Sequence, residues 1–211
     1  MNKNPLDVLD MHEVRKHYRA RKSISKELCT LFDNRTVKEY VKLALGISNT
    51  LGNYSASDHD LGPKILASSS ISSVFELAQK LQISTDSKSM LSNIYSANIS
   101  NLKVSVGSEM VMFLKPDLFW VANTRTVWAH LLVKHGFNYS IANEELALYR
   151  EQDSSSEMEY RKWREIYSLM KPNMIKLAEL GDEKANRHQI KRGKIRSLWF
   201  DAISNALYEQ R

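Results

Sequence analysis

The chain has 211 residues, 43% hydrophobic and 26% charged, with a formal net charge of +6 and an isoelectric point near 9.3. That composition excludes a disordered chain, seven glycines and four prolines are too few for many tight hairpins, and the single cysteine, Cys29, excludes an intrachain disulfide and a cysteine zinc site. No window approaches the roughly 20 apolar residues of a membrane span, so a cytoplasmic, mainly α protein with no membrane association is expected.

In chain order, Leu6, Leu9, Val14 and Tyr18 recur at near-helical spacing, and Ile24, Leu28, Leu31 and Phe32 repeat the pattern after a cap candidate at Ser23 or Ser25. Two short helices are predicted there. Val37, Val41, Leu45 and Ile47 predict a third from Thr36 to Leu51, ended by Gly52-Asn53. Ser57 or Asp58 caps the next turn, which Gly62-Pro63 limits. Residues 55–100 hold thirteen serines, yet Val74, Phe75, Leu77, Ala78 and Leu81 keep a helical stripe. Short capped helices joined by tight loops follow, because a serine hydroxyl can satisfy an orphan backbone donor.

Gly107 then lies between two apolar runs. Ser105 or Ser108 opens a helix to about Lys115, which Pro116 ends, and a second helix begins near Asn123 or Thr124 and runs to His135-Gly136. Asn138 or Ser140 starts another. Ser154 to Ser156 cap a long helix carrying Met158, Trp163, Ile166, Tyr167, Met170, Ile175 and Leu177, kinked or split at Pro172. The last helix, about Lys194 to Glu209, puts Ile195, Leu198, Trp199, Ala202, Ile203, Ala206 and Leu207 on one face. The expectation is an all-α single domain of about eight to ten helices: basic N-terminal helices in 1–50, a central core in 98–136 and long C-terminal helices in 155–211. A two-lobed arrangement would place the helix at Asn123 beside a cleft.

Charge is unevenly spread. Residues 1–26 carry Lys3, Arg15, Lys16, Arg19, Arg21, Lys22 and Lys26 against Asp7, Asp10 and Glu13, and residues 184–196 carry Lys184, Arg187, Lys191, Arg192, Lys194 and Arg196 with no acid. Residues 139–160 are acidic, with Glu144, Glu145, Glu151, Asp153, Glu157 and Glu159 facing only Arg150. If the termini fold close together, as is common in single domains, Arg15, Arg19 and Lys22 join Arg187, Lys191, Arg192, Lys194 and Arg196 in one basic stripe. Such a stripe calls for nucleic acid, with DNA favoured over RNA.

The run KPDLFWVANTRTVWAHLL, residues 115–132, is the densest in polar and aromatic groups. From Leu102 to Leu131 the chain resembles the core of the helix-hairpin-helix DNA glycosylase superfamily: a glycine hairpin at Val104-Ser105-Val106-Gly107-Ser108, an apolar helix, a Pro-x-x-aromatic connection and a helix starting at Asn123-Thr124-Arg125. The resemblance implies a phosphate held by backbone amides at Gly107 and Ser108. Where the family carries its functional aspartate this chain has Asn123, and the lysine of some members would fall near Ser108 or Glu109. An amide neither takes a proton from water nor offsets the positive charge on a sugar losing its base. The resemblance therefore implies a degenerate relative that binds nucleic acid without excising bases.

Arg125 and His130 also form an R-x4-H element that resembles the signature of HEPN-type ribonucleases, all-helical proteins that often act as dimers. In that reading His130 moves a proton at a ribose hydroxyl and Arg125 stabilises phosphorane-like charge. Five residues turn a helix through about 500°, so the pair would need a second chain, a homodimer, to share a site. A third reading is a protein-interaction module, which requires an exposed apolar patch. Other candidates are weaker. His12 and His17, and His130 and His135, are spaced wrongly for shared metal ligation, so neither metal nor cofactor is expected. Ser68-Ser69-Ser70 lacks a nucleophile-elbow context, Cys29 sits at a core position, and Trp120 and Trp199 read as core residues rather than stacking platforms.

Overall fold

A computed structural model of the protein describes residues 5–150 and 156–211. Every regular element among them is helical, with eleven α-helices, two 3-10 turns and no strand. The all-α expectation holds. The chain divides into two compact units, one of Met1–Arg19 and Thr124–Arg211, the other Ala20–Asn123. Among the described residues no helix is long and apolar enough to cross a membrane.

The two short helices predicted near the N-terminus are one helix, Met11–Asp33 (α1), preceded by the 3-10 turn Pro5–Val8. Ser23 and Ser25 do not interrupt it. Val14, Tyr18, Ile24 and Leu28 form a buried stripe along it, and Ser25 Oγ donates to the Phe113 carbonyl at 2.7 Å instead of capping a new helix.

In the unit Ala20–Asn123, α1 is followed by Val37–Ala44 (α2), Tyr54–Ser57 (α3), Leu61–Ser68 (α4), Ile71–Ile83 (α5), Ser87–Ala97 (α6) and Val104–Leu114 (α7). The predicted Thr36–Leu51 helix stops at Ala44. Gly46 takes a left-handed φ of 69° and returns its amide to the Leu43 carbonyl, a turn that no β-branched residue adopts easily. The serine-rich region does form short capped helices. Ser70 accepts the Ser73 amide, Asn53 accepts the Ala56 amide, and Asp86 with Ser89 forms a capping box. Phe32, Tyr40 and Phe75 pack with ring centroids 5.3–5.5 Å apart at the heart of this unit.

The other unit holds Thr124–Lys134 (α8), Tyr139–Arg150 (α9), Ser156–Arg187 (α10) and Arg196–Tyr208 (α11). Helix α8 packs against α9, α10 and α11. Its fully buried Trp128 lies edge-on to Tyr208 at 5.7 Å and tilted to Tyr139 at 5.6 Å. Pro172 sits inside α10 without splitting it. It is exposed, so the carbonyl deprived of its amide partner can turn to water. Ser154, a predicted cap, lies outside the described residues, as do Lys3, Glu151 and Asp153.

Candidate nucleic-acid interface

The N-terminal half of α1 has two faces. Met11, Val14 and Tyr18 are buried, while His12, Arg15, Lys16 and Arg19, at helical spacing i, i+3, i+4 and i+7, share the opposite one. Across from them runs the connection between α10 and α11. His12, Arg15, Lys16 and Arg19 on one side and Gln189, Ile190 and Lys191 on the other line a groove of about 360 Å³.

That connection is shaped by its own residues. Gln189 adopts a left-handed φ of 56°, and the Ile190 amide turns back to the Ala185 carbonyl at 2.8 Å, which ends α10. Gly193 lies so close to two rings that an added Cβ would stand 2.8 Å from Tyr18 Cε2 and 2.8 Å from Trp199 Cε3. Tyr18 and Trp199 meet edge to face at 5.7 Å. The Tyr18 hydroxyl accepts from the Ile195 amide at 3.1 Å. Arg15 donates to the Arg192 carbonyl at 3.3 Å and lays its guanidinium over the Tyr18 ring. Two segments far apart in sequence are thus joined as the walls of one groove.

The basic residues expected to form a stripe have different fates. Arg15, Arg19 and Lys191 line the groove. Among the described residues Arg19 and Lys191 have no ion-pair partner, whereas Lys16 pairs with Glu13 at 3.2 Å. Arg192 and Arg196 are clasped by Asp182, at 3.1 and 2.9 Å. Arg187 and Lys194 are exposed but do not line the groove, and exposed Lys22 belongs to the other unit. Lys184 is not a surface cation. It is buried, its ammonium donates to the Leu6 carbonyl, and burial pulls its pKa down.

The residues singled out by the glycosylase resemblance are placed otherwise than expected. Val104–Leu114 is helical from its first residue, so Val104 to Ser108 is no hairpin. The Gly107 amide is bonded to the Lys103 carbonyl at 2.9 Å, and a Cβ there would meet Ile94 Cδ1 at 2.7 Å. Glycine at 107 serves the close packing of α6 on α7. Ser108 is fully buried, accepting the Ala122 amide at 3.0 Å and donating to the Ser105 carbonyl. Neither residue can present a donor to a phosphate. The connection between α6 and α7 is residues 98–103, where Asn98 and Asn101 supply the left-handed turns. Asn123 stands just before α8, as expected, and is buried.

Arg125 and His130 do not converge. Arg125 donates to Asn205 Oδ1 on α11 at 2.6 Å, whereas His130 turns to α10, where its Nδ1 lies 3.1 Å from Asn173 Nδ2. His130 is 6% exposed, and burial together with the Lys134 charge lowers its pKa to about 4. It is neutral at neutral pH and packed into the core, so the R-x4-H element brings no proton-transfer group to a solvent-facing site. Among the described residues no group of His, Cys, Asp and Glu could hold a metal ion.

Two polar clusters escape the sequence reading. Arg21 and Glu109, both 0% exposed, form an ion pair at 2.6 Å. Glu109 also accepts the Tyr54 amide at 2.9 Å, and the Ser55 amide and hydroxyl at 3.1 and 2.8 Å. Arg21 donates to the Leu51 carbonyl at 2.7 Å and lies over the rings of Tyr54 and Phe113. These bonds tie α1, α3 and α7 of one unit together. The second ties α8 to α9. Glu145 accepts from Lys134 at 2.7 Å and from the Tyr149 hydroxyl at 2.7 Å, and meets His135 Nε2 at 2.5 Å.

Burial raises the Glu145 pKa, but these bonds and the Lys134 charge outweigh it and hold the carboxyl at about 2. A depressed carboxyl stabilises the fold above its unfolded value, so this contribution disappears as pH falls from about 4.5 toward about 2. His130, depressed to about 4, instead costs stability as pH falls through the higher window between its unfolded and folded values. Acid titration followed by circular dichroism should therefore show Glu145→Gln flattening only the lower part of the acid limb. An acid limb identical to that of the native chain would refute the assignment.

Compared with protein-family models, curated proteins and solved structures, the chain matches none of them.

Proposed function

We propose that this chain binds nucleic acid through the groove between α1 and the connection from α10 to α11, with DNA the first substrate to test. One observation carries the proposal: the two basic segments of the sequence meet there, with Arg15, Arg19 and Lys191 lining one groove of about 360 Å³ and Arg19 and Lys191 unpaired by acid among the described residues. Cations placed this way displace the counterions condensed on a phosphate backbone, and the entropy of that release drives binding. The glycosylase resemblance lends this reading no support, because Val104–Leu114 is helical from its first residue; the proposed activity is binding alone.

The test is affinity for DNA as a function of salt. The logarithm of the association constant should fall linearly with the logarithm of salt concentration between about 50 and 200 mM, and Lys191→Glu should weaken binding at every concentration. Binding that is absent, or indifferent to salt, would sink the proposal.

A further inference from the structure

Resting on that reading, we infer that the groove takes one strand of nucleic acid and disfavours a duplex. Its two walls carry cations on both sides: Arg15, Lys16 and Arg19 from α1, and Lys191 from the facing connection. Half-buried Ile190 supplies an apolar surface and Gln189 an amide between them. A volume of about 360 Å³ sits at the low end of the roughly 300–1,000 Å³ of small-molecule pockets. That is room for a nucleotide-sized portion of a single chain, whose phosphates would then be met from two sides.

A duplex carries one charge per roughly 1.7 Å of axis and needs a broad basic surface beyond any such recess. The α1 flank does not provide it. Glu13, 63% exposed, stands beside Lys16, and exposed Asp10 precedes the same turn. Of the cations near Lys191 in sequence, Arg192 and Arg196 are committed to Asp182, and exposed Arg187 and Lys194 do not line the groove. A second strand lying along the α1 flank would meet acid. No Phe, Tyr or Trp lines the groove and His12 is the one ring among its lining residues, so recognition falls mainly on phosphate and sugar and should tolerate any base sequence.

The test compares an end-labelled oligo-dT, the matching oligo-U and the oligo-dT·oligo-dA duplex by fluorescence anisotropy, each about 12 nucleotides long to fall within usual single-strand footprints. Both single strands are included because nothing lining the groove singles out the sugar, and their ratio reports any preference for DNA over RNA. At least one single strand should bind about tenfold more tightly than the duplex, with a log-log salt slope of about −2 to −3, the value for three or four phosphates neutralised on a single strand. Arg19→Glu and Lys191→Glu, both at exposed positions, should each weaken that binding about tenfold or more, while Lys88→Glu, exposed on α6, should leave it unchanged. A duplex bound as tightly as the tighter-binding strand would overturn the single-strand inference and leave the nucleic-acid reading standing. Binding that survives both groove reversals would overturn the groove as the site. Failure of all three probes to bind would overturn the nucleic-acid reading itself.

Discussion

Glu109→Ala should cost about 3–5 kcal/mol, the usual loss when one partner of a buried ion pair is removed. The magnitude follows from what would be left behind. Arg21, with no exposed surface, would lose its 2.6 Å carboxylate contact, and the half-buried Tyr54 amide and the buried Ser55 amide would lose their acceptor. Against a total stability of about 5–15 kcal/mol for an ordinary domain, that loss brings the fold to the edge. Urea denaturation would measure it as a lowered midpoint at unchanged slope. A loss below about 1 kcal/mol would show that the pair is not the buried cluster described here. The double variant Arg21→Met with Glu109→Leu separates net worth from desolvation, because it removes both charges while still leaving the Tyr54 and Ser55 amides without their acceptor. It should recover the part of the Glu109→Ala loss that comes from the unpaired Arg21.

Gly193→Ala should act at the groove. The added methyl must enter space already held by Tyr18 and Trp199, at 2.8 Å from each ring, and two rings locked edge to face cannot both yield. Overpacking of this kind costs about 1–3 kcal/mol, a lowering of the melting temperature by roughly 2–10 °C for a chain of this size. The cheapest relief is movement of the connection itself. Lys191 would then leave its place opposite Arg15 and Arg19, and binding should weaken about tenfold, as for loss of a phosphate contact. Thermal melts and the anisotropy assay read the two effects separately. A variant that melts and binds like the native chain would show that the connection is not held by this contact.

Periodicity made most of the helices legible, because an amphipathic stripe needs only local information. Helices α8, α9 and α11 begin within a residue or two of where their stripes and caps place them. The errors have physical reasons. A serine inside a helix and a serine capping one look alike in sequence, and Ser25 was decided by a carbonyl 88 residues away. Gly52 and Gly46 are equally good stop signals until one of them takes a positive φ. Gly107 looked like a turn because close packing against Ile94 leaves no local trace.

The candidate site was partly legible for the same reasons. The two basic segments could be seen, but not which of their members remain available. Asp182, which binds Arg192 and Arg196, sits just outside the run of residues that contains no acid. Arg21 and Lys184 counted as surface charge although both are buried. Sequence windows report how many charges a segment has. They do not report which of them face water.

The bond between Lys184 and the Leu6 carbonyl has an evolutionary consequence. Its acceptor is main chain, so any apolar residue at position 6 could preserve it while a change at position 184 would not. The constraint is one-sided: the lysine would be kept while the position it holds drifts among aliphatic residues. Statistical searches for paired substitutions look for two positions that change together, and they would pass over this contact. What they could register is a solitary invariant lysine near the end of a long helix, with its reason in the backbone of a turn nearly the whole chain away.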